Sequence, residues 1–157
     1  MRNIVVINGP NINMLGVREK KLYGRVDYGS LCKALEAEAK RLKVGLEIFQ
    51  SNGEGPLVDK IQSLLGKADA VVINPGAYTH TSIAIRDALS AVKIPFIEVH
   101  VSNIFAREKF RSHSYLSDLA AGVVAGFGTD GYLIALRAAA EMTARGARGR
   151  VRRKGRG

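Results

Sequence analysis

The sequence NIVVIN, at residues 3–8, is a short apolar run that ends in Asn8 and is followed by Gly9 and Pro10. A run of this length, rich in Val and Ile and closed by Gly or Pro, is typical of a strand buried on both faces of a parallel sheet. Four further runs of the same kind follow at even spacing, namely LEIFQ (46–50), AVVIN (70–74), PFIEVHV (95–101) and GVVAGF (122–127). The sequence therefore predicts five strands.

Segments of helical period lie between these runs. They are YGSLCKALEAEAKRLK (28–43), PLVDKIQSLLGK (56–67), TSIAIRDALSAV (81–92) and TDGYLIALRAAAEMTAR (129–145). In the first segment Leu31, Leu35 and Leu42 fall on one stripe, while Pro56 suits a helix start and Thr81 resembles an N-cap. Strands that alternate with helices predict an α/β fold, here a flavodoxin-like three-layer sandwich with a five-stranded parallel sheet.

The chain has 157 residues, of which 46% are hydrophobic, so one domain with a substantial core is expected. Only a four-residue apolar run precedes Asn8, which is too short for a signal peptide or a membrane span. We therefore expect a cytoplasmic protein with no membrane segment. Cys32 is the single cysteine, which excludes an intrachain disulfide and a cysteine-rich zinc site.

The net charge of +10 is concentrated at one end of the chain. Residues 145–157, RGARGRVRRKGRG, hold six Arg and one Lys without any acidic residue, so residues 1–144 keep 17 basic and 14 acidic side chains and a net charge of +3. We predict a single catalytic domain over 1–144 and a disordered basic tail over 145–157. The tail leaves open binding to nucleic acid or to another acidic partner, or a contribution to solubility, and specific nucleic-acid binding is the least favoured of these.

About twenty residues separate the first predicted strand from the first helix, whereas such links usually take two to six. The excess predicts a lid over a site. Within it, Arg18 and Tyr23 together offer a phenolate base, because a guanidinium about 4 Å away lowers the pKa of a phenol by at most roughly three units from about 10. Taken singly, the tyrosine fits a cap over a pocket and the arginine a solvated charge.

Polar residues follow four consecutive strands at their carboxyl ends, where ligands bind in open parallel sheets. The segments are NGPN (8–11), QSNGEG (50–55), NPGAYTH (74–80) and EVHVSN (98–103). Glu98 and His100 are two residues apart on one strand and so share a face, which fits either a buried structural pair or a carboxylate that fixes the tautomer of a catalytic imidazole. For Asp87, on the third helix, the residues alone favour a surface ion pair with Arg86 or Lys93.

No sequence motif calls for a cofactor or a metal. GFGTDG (126–131) has the letters of a dinucleotide fingerprint, but no strand or acidic ribose partner follows it. The chain also lacks a P-loop and an HExxH motif. We therefore predict that the protein uses neither.

Several long motifs, in one order, resemble those of the type II 3-dehydroquinate dehydratases. They are NGPNINMLGVRE with LYG, FQSNGEG, INPGAYTHTSIAIRDAL, PFIEVHVSNIFAREKFRSHSY and GTDGYLIAL, and they span residues 3 to about 141. The resemblance implies the flavodoxin-like fold and a trans-elimination of water from 3-dehydroquinate, through an enolate, to 3-dehydroshikimate in the shikimate pathway. It assigns Tyr23 as the base, Arg18 as the group that lowers its pKa, and His100 as the acid. Glu98 would orient His100, and Asn13 would hold a water or the enolate oxygen.

The same resemblance assigns binding of the substrate hydroxyls and carboxylate to Asn74, His80, Arg111 and the Val101–Ser102 backbone. It places Asp87 at a site edge shared with a neighbouring subunit and implies a homo-oligomer, a dodecamer of trimers. Lys20 stands where the family commonly has proline, which predicts a looser lid. The remaining alternative is a binding module of the same fold, with a degenerate site and a tail that engages RNA or DNA.

Overall fold

The structure is a computed structural model that describes residues 1–17 and 26–154, with side chains described to residue 145. The predicted base Tyr23, its partner Arg18 and the lid residue Lys20 lie outside the described residues. The five strands are β1 (Asn3–Asn8), β2 (Gly45–Gln50), β3 (Ala70–Asn74), β4 (Phe96–His100) and β5 (Gly122–Ala125). Within the described residues the α-helices are α1 (Tyr28–Leu42), α2 (Glu54–Ser63), α3 (Ile83–Val92) and α4 (Asp130–Lys154).

All the strands are parallel and lie in the order β2-β1-β3-β4-β5. Side chains alternate between the two faces of β1, so that Ile4 and Val6 pack under α1 and α4, while Val5 and Ile7 pack under α2 and α3. Helices therefore cover both faces of the sheet, and the predicted flavodoxin-like three-layer sandwich is confirmed.

The strand order reverses at β1, whose neighbours are β2 on one side and β3 on the other. At this switch point the carboxyl ends of β1 and β3 lie in register, with Asn8 opposite Asn74. The backbones come so close there that a Cβ on Gly9 would stand 2.2 Å from the Pro75 carbonyl oxygen. Only glycine fits at this position. The close approach of the two backbone segments brings the ends of β1 and β3 together at the place where ligands bind in such sheets.

Two helix starts differ from the prediction. Helix α2 begins at Glu54, two residues before Pro56, because a proline is tolerated throughout the first turn, where backbone N–H groups have no helical partner. Helix α3 is capped by Ser82, whose hydroxyl accepts a hydrogen bond of 2.9 Å from the Ile85 N–H. Thr81 belongs instead to the end of the preceding 3₁₀ turn.

Helix α4 extends to Lys154, beyond the boundary at residue 144. The described backbone is therefore helical to that point, and the disorder of residues 145–157 stays a prediction. Arginine is a good helix former, and an existing helix adds residues without a new nucleation cost. The division into a catalytic domain and a separate tail stays a prediction.

In residues 1–17 and 26–154, no helix combines the length and apolar character that crossing a membrane requires.

Candidate active site

An open cleft lies at the carboxyl edge of the sheet, beside the switch point between β1 and β3. Its empty volume, including the solvent at its mouth, is about 750 Å³. The segments after β1, β3 and β4 line it, with Pro10, Asn11, Ile12, Met14, Leu15, Asn74, Gly76, Ala77, His80, Val101, Ser102, Ile104, Arg107 and Arg111. The position is the one that strand order predicts for a ligand site in this kind of sheet.

The predicted substrate-binding residues are brought together here, with one exception. Asn74, His80, Val101, Ser102 and Arg111 all line the cleft, although they come from three separate segments of the chain. Their convergence follows from parallel strands that end at the same edge.

His100 ends β4, does not itself line the cleft but directly precedes Val101 and Ser102, which do, and is bonded to Glu98. The distance between His100 Nε2 and Glu98 Oε1 is 2.8 Å, and the two residues are 5% and 0% exposed. Because a carboxylate can only accept, Nε2 carries a proton and donates it to Glu98. Nδ1 is therefore the ring nitrogen that can exchange a proton with a ligand.

Three hydroxyl groups also donate to Glu98. They belong to Thr79, Ser114, whose Oγ lies 2.8 Å from Oε1, and Ser117. Burial by itself raises the pKa of Glu98, but the hydrogen bonds from His100, Ser117 and Thr79 outweigh it and lower that pKa from 4.5 to about 2. Glu98 is therefore ionised at neutral pH. Sequence reasoning missed the three hydroxyls, since isolated Ser and Thr residues give no pattern.

His80 is oriented for the opposite role, that of an acceptor. Its Nδ1–H donates to the His113 carbonyl oxygen at 2.7 Å, which leaves Nε2 as the free nitrogen. Burial lowers the pKa of His80, although its hydrogen bond to His113 opposes the effect. A neutral ring at pH 7 then presents the Nε2 lone pair, which suits a ligand hydroxyl.

Two guanidinium groups make the far wall of the cleft positive. Arg111 Nε lies 2.9 Å from Glu108 Oε2, and Arg107 Nε lies 3.5 Å from the same oxygen. Both arginines therefore bring guanidinium N–H groups to this wall, and such groups suit a carboxylate or another anionic ligand. Arg107 was not among the predicted residues, because a basic segment such as FAREKFR does not tell which of its arginines face a cleft.

The structure separates the two asparagines of the first loop. Asn11, in the left-handed conformation with φ of 67°, lines the cleft, and its N–H donates to Asn52 Oδ1 at 3.1 Å. Asn13 is exposed, and its Oδ1 accepts a hydrogen bond of 3.3 Å from Gln50 Nε2. The motif NGPNIN contains both residues, so sequence alone gave no reason to prefer Asn11.

Asp87 is the exception among the predicted binding residues. It is exposed on α3 and is absent from the residues that line the cleft. Arg86, the partner that local sequence favours, is instead bonded to Asp118, with Arg86 Nη2 2.9 Å from Asp118 Oδ2. Arg86 is therefore hydrogen-bonded to Asp118 rather than to Asp87, although the charge of Asp87 also helps to raise the pKa of Arg86. No three His, Cys, Asp or Glu side chains gather as a metal site in the part of the chain that the structure describes.

Fold and site together define a small flavodoxin-like α/β protein with a carboxylate-paired histidine and a cleft lined by two arginines at the carboxyl edge of its sheet. The model of the family "Dehydroquinase class II" matches residues 2–140, and the chain belongs to this family.

Relatives of known name agree with this family. The chain is 59% identical, over 90% of its length and 98% of the relative's, to the 3-dehydroquinate dehydratase of Hydrogenovibrio crunogenus. It is 56% identical to "Catabolic 3-dehydroquinase 1" of Aspergillus terreus, over 86% of this chain and 89% of that one. Among solved structures, the type II dehydroquinase of Butyrivibrio crossotus matches with a TM-score of 0.86 and 46% identity, covering 88% of this chain and 97% of that one.

Proposed function

We propose that the protein is a type II 3-dehydroquinate dehydratase, a hydro-lyase of the shikimate pathway. It removes water from 3-dehydroquinate in a trans-elimination and gives 3-dehydroshikimate through an enolate. The observation that carries the proposal is the buried Glu98–His100 pair, 2.8 Å apart, which directly precedes Val101 and Ser102 in the lining of a cleft that Arg107 and Arg111 also line. An acid beside an anion-binding wall is what the elimination of a hydroxyl from a carboxylate substrate requires.

His100 is the general acid that protonates the departing C1 hydroxyl. Glu98 fixes the ring by accepting the Nε2 proton, so that the doubly protonated ring delivers its Nδ1 proton to the leaving oxygen. Because the pKa of Glu98 is held at about 2, the carboxylate stays ionised at neutral pH and continues to accept the Nε2 proton.

Tyr23 is the base and Arg18 its activator. The hydrogen to be removed is α to a ketone, and a phenolate is basic enough for that step. A neighbouring guanidinium favours the phenolate form by charge attraction. Asn13 holds a water or the enolate oxygen in this assignment, but the position of Asn11 in the cleft makes that neighbour a competing candidate.

The remaining polar residues of the cleft bind the substrate. Arg111 pairs with the carboxylate, while the Nε2 lone pair of His80 accepts from a ring hydroxyl. Asn74 and the Val101–Ser102 backbone contribute further hydrogen bonds. The reaction needs neither a metal nor a cofactor.

The protein assembles in the cytoplasm as trimers that gather into a dodecamer. In this assembly Asp87 completes the site of a neighbouring subunit. Its exposed position on α3, away from its own cleft, supports a role between subunits rather than within one. The molecular mass in solution tests the assembly, and an Asp87→Ala variant that assembles but binds substrate less tightly would support the shared edge.

The activity is tested with purified protein and 3-dehydroquinate in the presence of a chelator. The conjugated product absorbs in the ultraviolet, so absorbance rises if the proposal holds, and an unchanged absorbance contradicts it. His100→Ala and Tyr23→Phe each remove a proton transfer and lower kcat by about 10²–10⁴-fold with fold and assembly kept. Full activity in either variant would contradict that assignment of the acid or of the base.

A further inference from the structure

A chain of hydrogen bonds runs beneath the cleft and joins Asn74 to the interior of the fold. Asn74 Oδ1 accepts from the Gly76 N–H at 3.1 Å, and Asn74 Nδ2 lies 2.8 Å from the Tyr132 hydroxyl. That hydroxyl lies 2.7 Å from Asn8 Oδ1, and Asn8 Nδ2 lies 3.3 Å from the Tyr28 hydroxyl. The chain therefore joins the ends of β1 and β3 to the first turns of α1 and α4.

The direction of donation along this chain is fixed by one group that can only donate. The Gly76 N–H belongs to the backbone, so the atom of Asn74 that faces it must be the amide oxygen. The amide nitrogen of Asn74 then faces Tyr132, whose hydroxyl accepts from it and must give its own proton to Asn8. A single consistent direction strengthens each bond of such a chain.

Tyr132 is well placed to act only through Asn74. Its side chain is 0% exposed and does not line the cleft, whereas Asn74 does. Burial raises the pKa of Tyr132, so the hydroxyl stays neutral and keeps both its donor and its acceptor function. Besides its hydrogen bonds to Gly76 and Tyr132, the Asn74 amide retains one N–H and one oxygen lone pair for a ligand.

We propose that Tyr132 is a positioning residue of the active site, whose hydroxyl holds the Asn74 amide in the orientation that binds substrate. This inference rests on the proposed function, because it concerns the binding of the dehydroquinate ring. A phenylalanine would fill the same space in the core but would release the amide nitrogen, so the binding orientation would no longer be preorganised.

The test is a double-mutant cycle on purified, assembled enzyme. Tyr132→Phe is expected to raise KM about five- to tenfold with kcat within about twofold of wild type, since a lost binding orientation weakens ground state and transition state alike. In an Asn74→Ala background the same change is expected to leave KM unaltered, because the group that it positions is gone. Tyr28→Phe, which removes a hydroxyl at the far end of the chain, serves as the matched control with a change below about twofold.

Each outcome decides the matter. Equal KM in wild type and Tyr132→Phe, or equal effects of Tyr132→Phe with and without the Asn74 amide, would show that the hydroxyl is only a satisfied core group. An inactive wild-type enzyme would overturn the proposed function itself, and this inference with it. If Tyr132→Phe does not fold, Asn8→Ala removes the acceptor of the Tyr132 proton and should raise KM in the same way, and no rise would overturn the proposal.

Discussion

Replacing Ser117 by alanine should destabilise the protein in a pH-dependent way, because the residue donates to the fully buried carboxylate of Glu98. The fall in the pKa of Glu98 from 4.5 to about 2 corresponds to about 3 kcal/mol in favour of the ionised form. Hydrogen bonds from His100, Ser117 and Thr79 outweigh burial to give this result, and one hydrogen bond to a charged group contributes about 1.5–3 kcal/mol. We therefore expect Ser117→Ala to lose about 1.5 kcal/mol of unfolding free energy at pH 7.

The pH dependence gives this prediction its sharpest form. A carboxyl group whose pKa is depressed by folding contributes stability that is fully present above its ordinary pKa of 4.5 and is lost as the pH falls toward 2. Ser117→Ala has less of this stability to lose, so its difference from wild type should shrink by about a third at pH 3 and by about half near pH 2.5.

Urea unfolding of both proteins at pH 7, 5 and 3, at one protein concentration, measures the difference. Ser112→Ala is the matched control on the same segment, because the Ser112 hydroxyl is exposed and donates only to the Lys109 carbonyl oxygen. It should stay within about 0.5 kcal/mol of wild type at every pH. A Ser117→Ala difference below that size at pH 7, or one that does not change with pH, would refute the reasoning about Glu98.

Three further variants test the roles of the first-loop asparagines and of the basic tail. Asn11→Ala should lower kcat/KM more than Asn13→Ala, because Asn11 lines the cleft and Asn13 is bonded to Gln50 outside it. Steady-state kinetics of the two variants measure this, and a larger loss in Asn13→Ala would show that Asn13 is the group that contacts the enolate. Deleting residues 146–157 should leave turnover unchanged and abolish salt-sensitive binding to single-stranded nucleic acid, measured by fluorescence anisotropy, whereas lost turnover in a folded, truncated protein would favour a binding module over an enzyme.

The fold could be predicted almost entirely from the sequence, because strands buried on both faces leave a strong apolar signal. Strands β1 and β3 were predicted to the residue, and the others to within two residues at each end. Prediction was weaker where chemistry is local. The cap of α3 went to Ser82 rather than its neighbour Thr81, and two adjacent hydroxyl residues cannot be told apart by pattern.

The site could be predicted only in part. Glu98 and His100 could be paired because a strand places every second residue on one face. The hydroxyls on Glu98 come from two other segments, and their convergence depends on how the chain returns after Arg111. The Asn74–Tyr132 contact joins residues 58 positions apart and leaves no trace in local sequence.

The contacts of Glu98 also connect acid catalysis to substrate binding. Glu98 lies opposite Ile73 in the pairing of β3 with β4, and it accepts hydrogen bonds from Ser114 and Ser117, which follow Arg111 on the same segment. That segment is fastened a second time, where the His113 carbonyl accepts from His80. Arg111, proposed to bind the substrate carboxylate, and His100, proposed to protonate the leaving group, are therefore both positioned through one buried anion. Removing a hydrogen bond to Glu98 should therefore change KM and kcat together. Removing the Tyr132 hydroxyl, which acts only on the orientation of Asn74, should change KM alone.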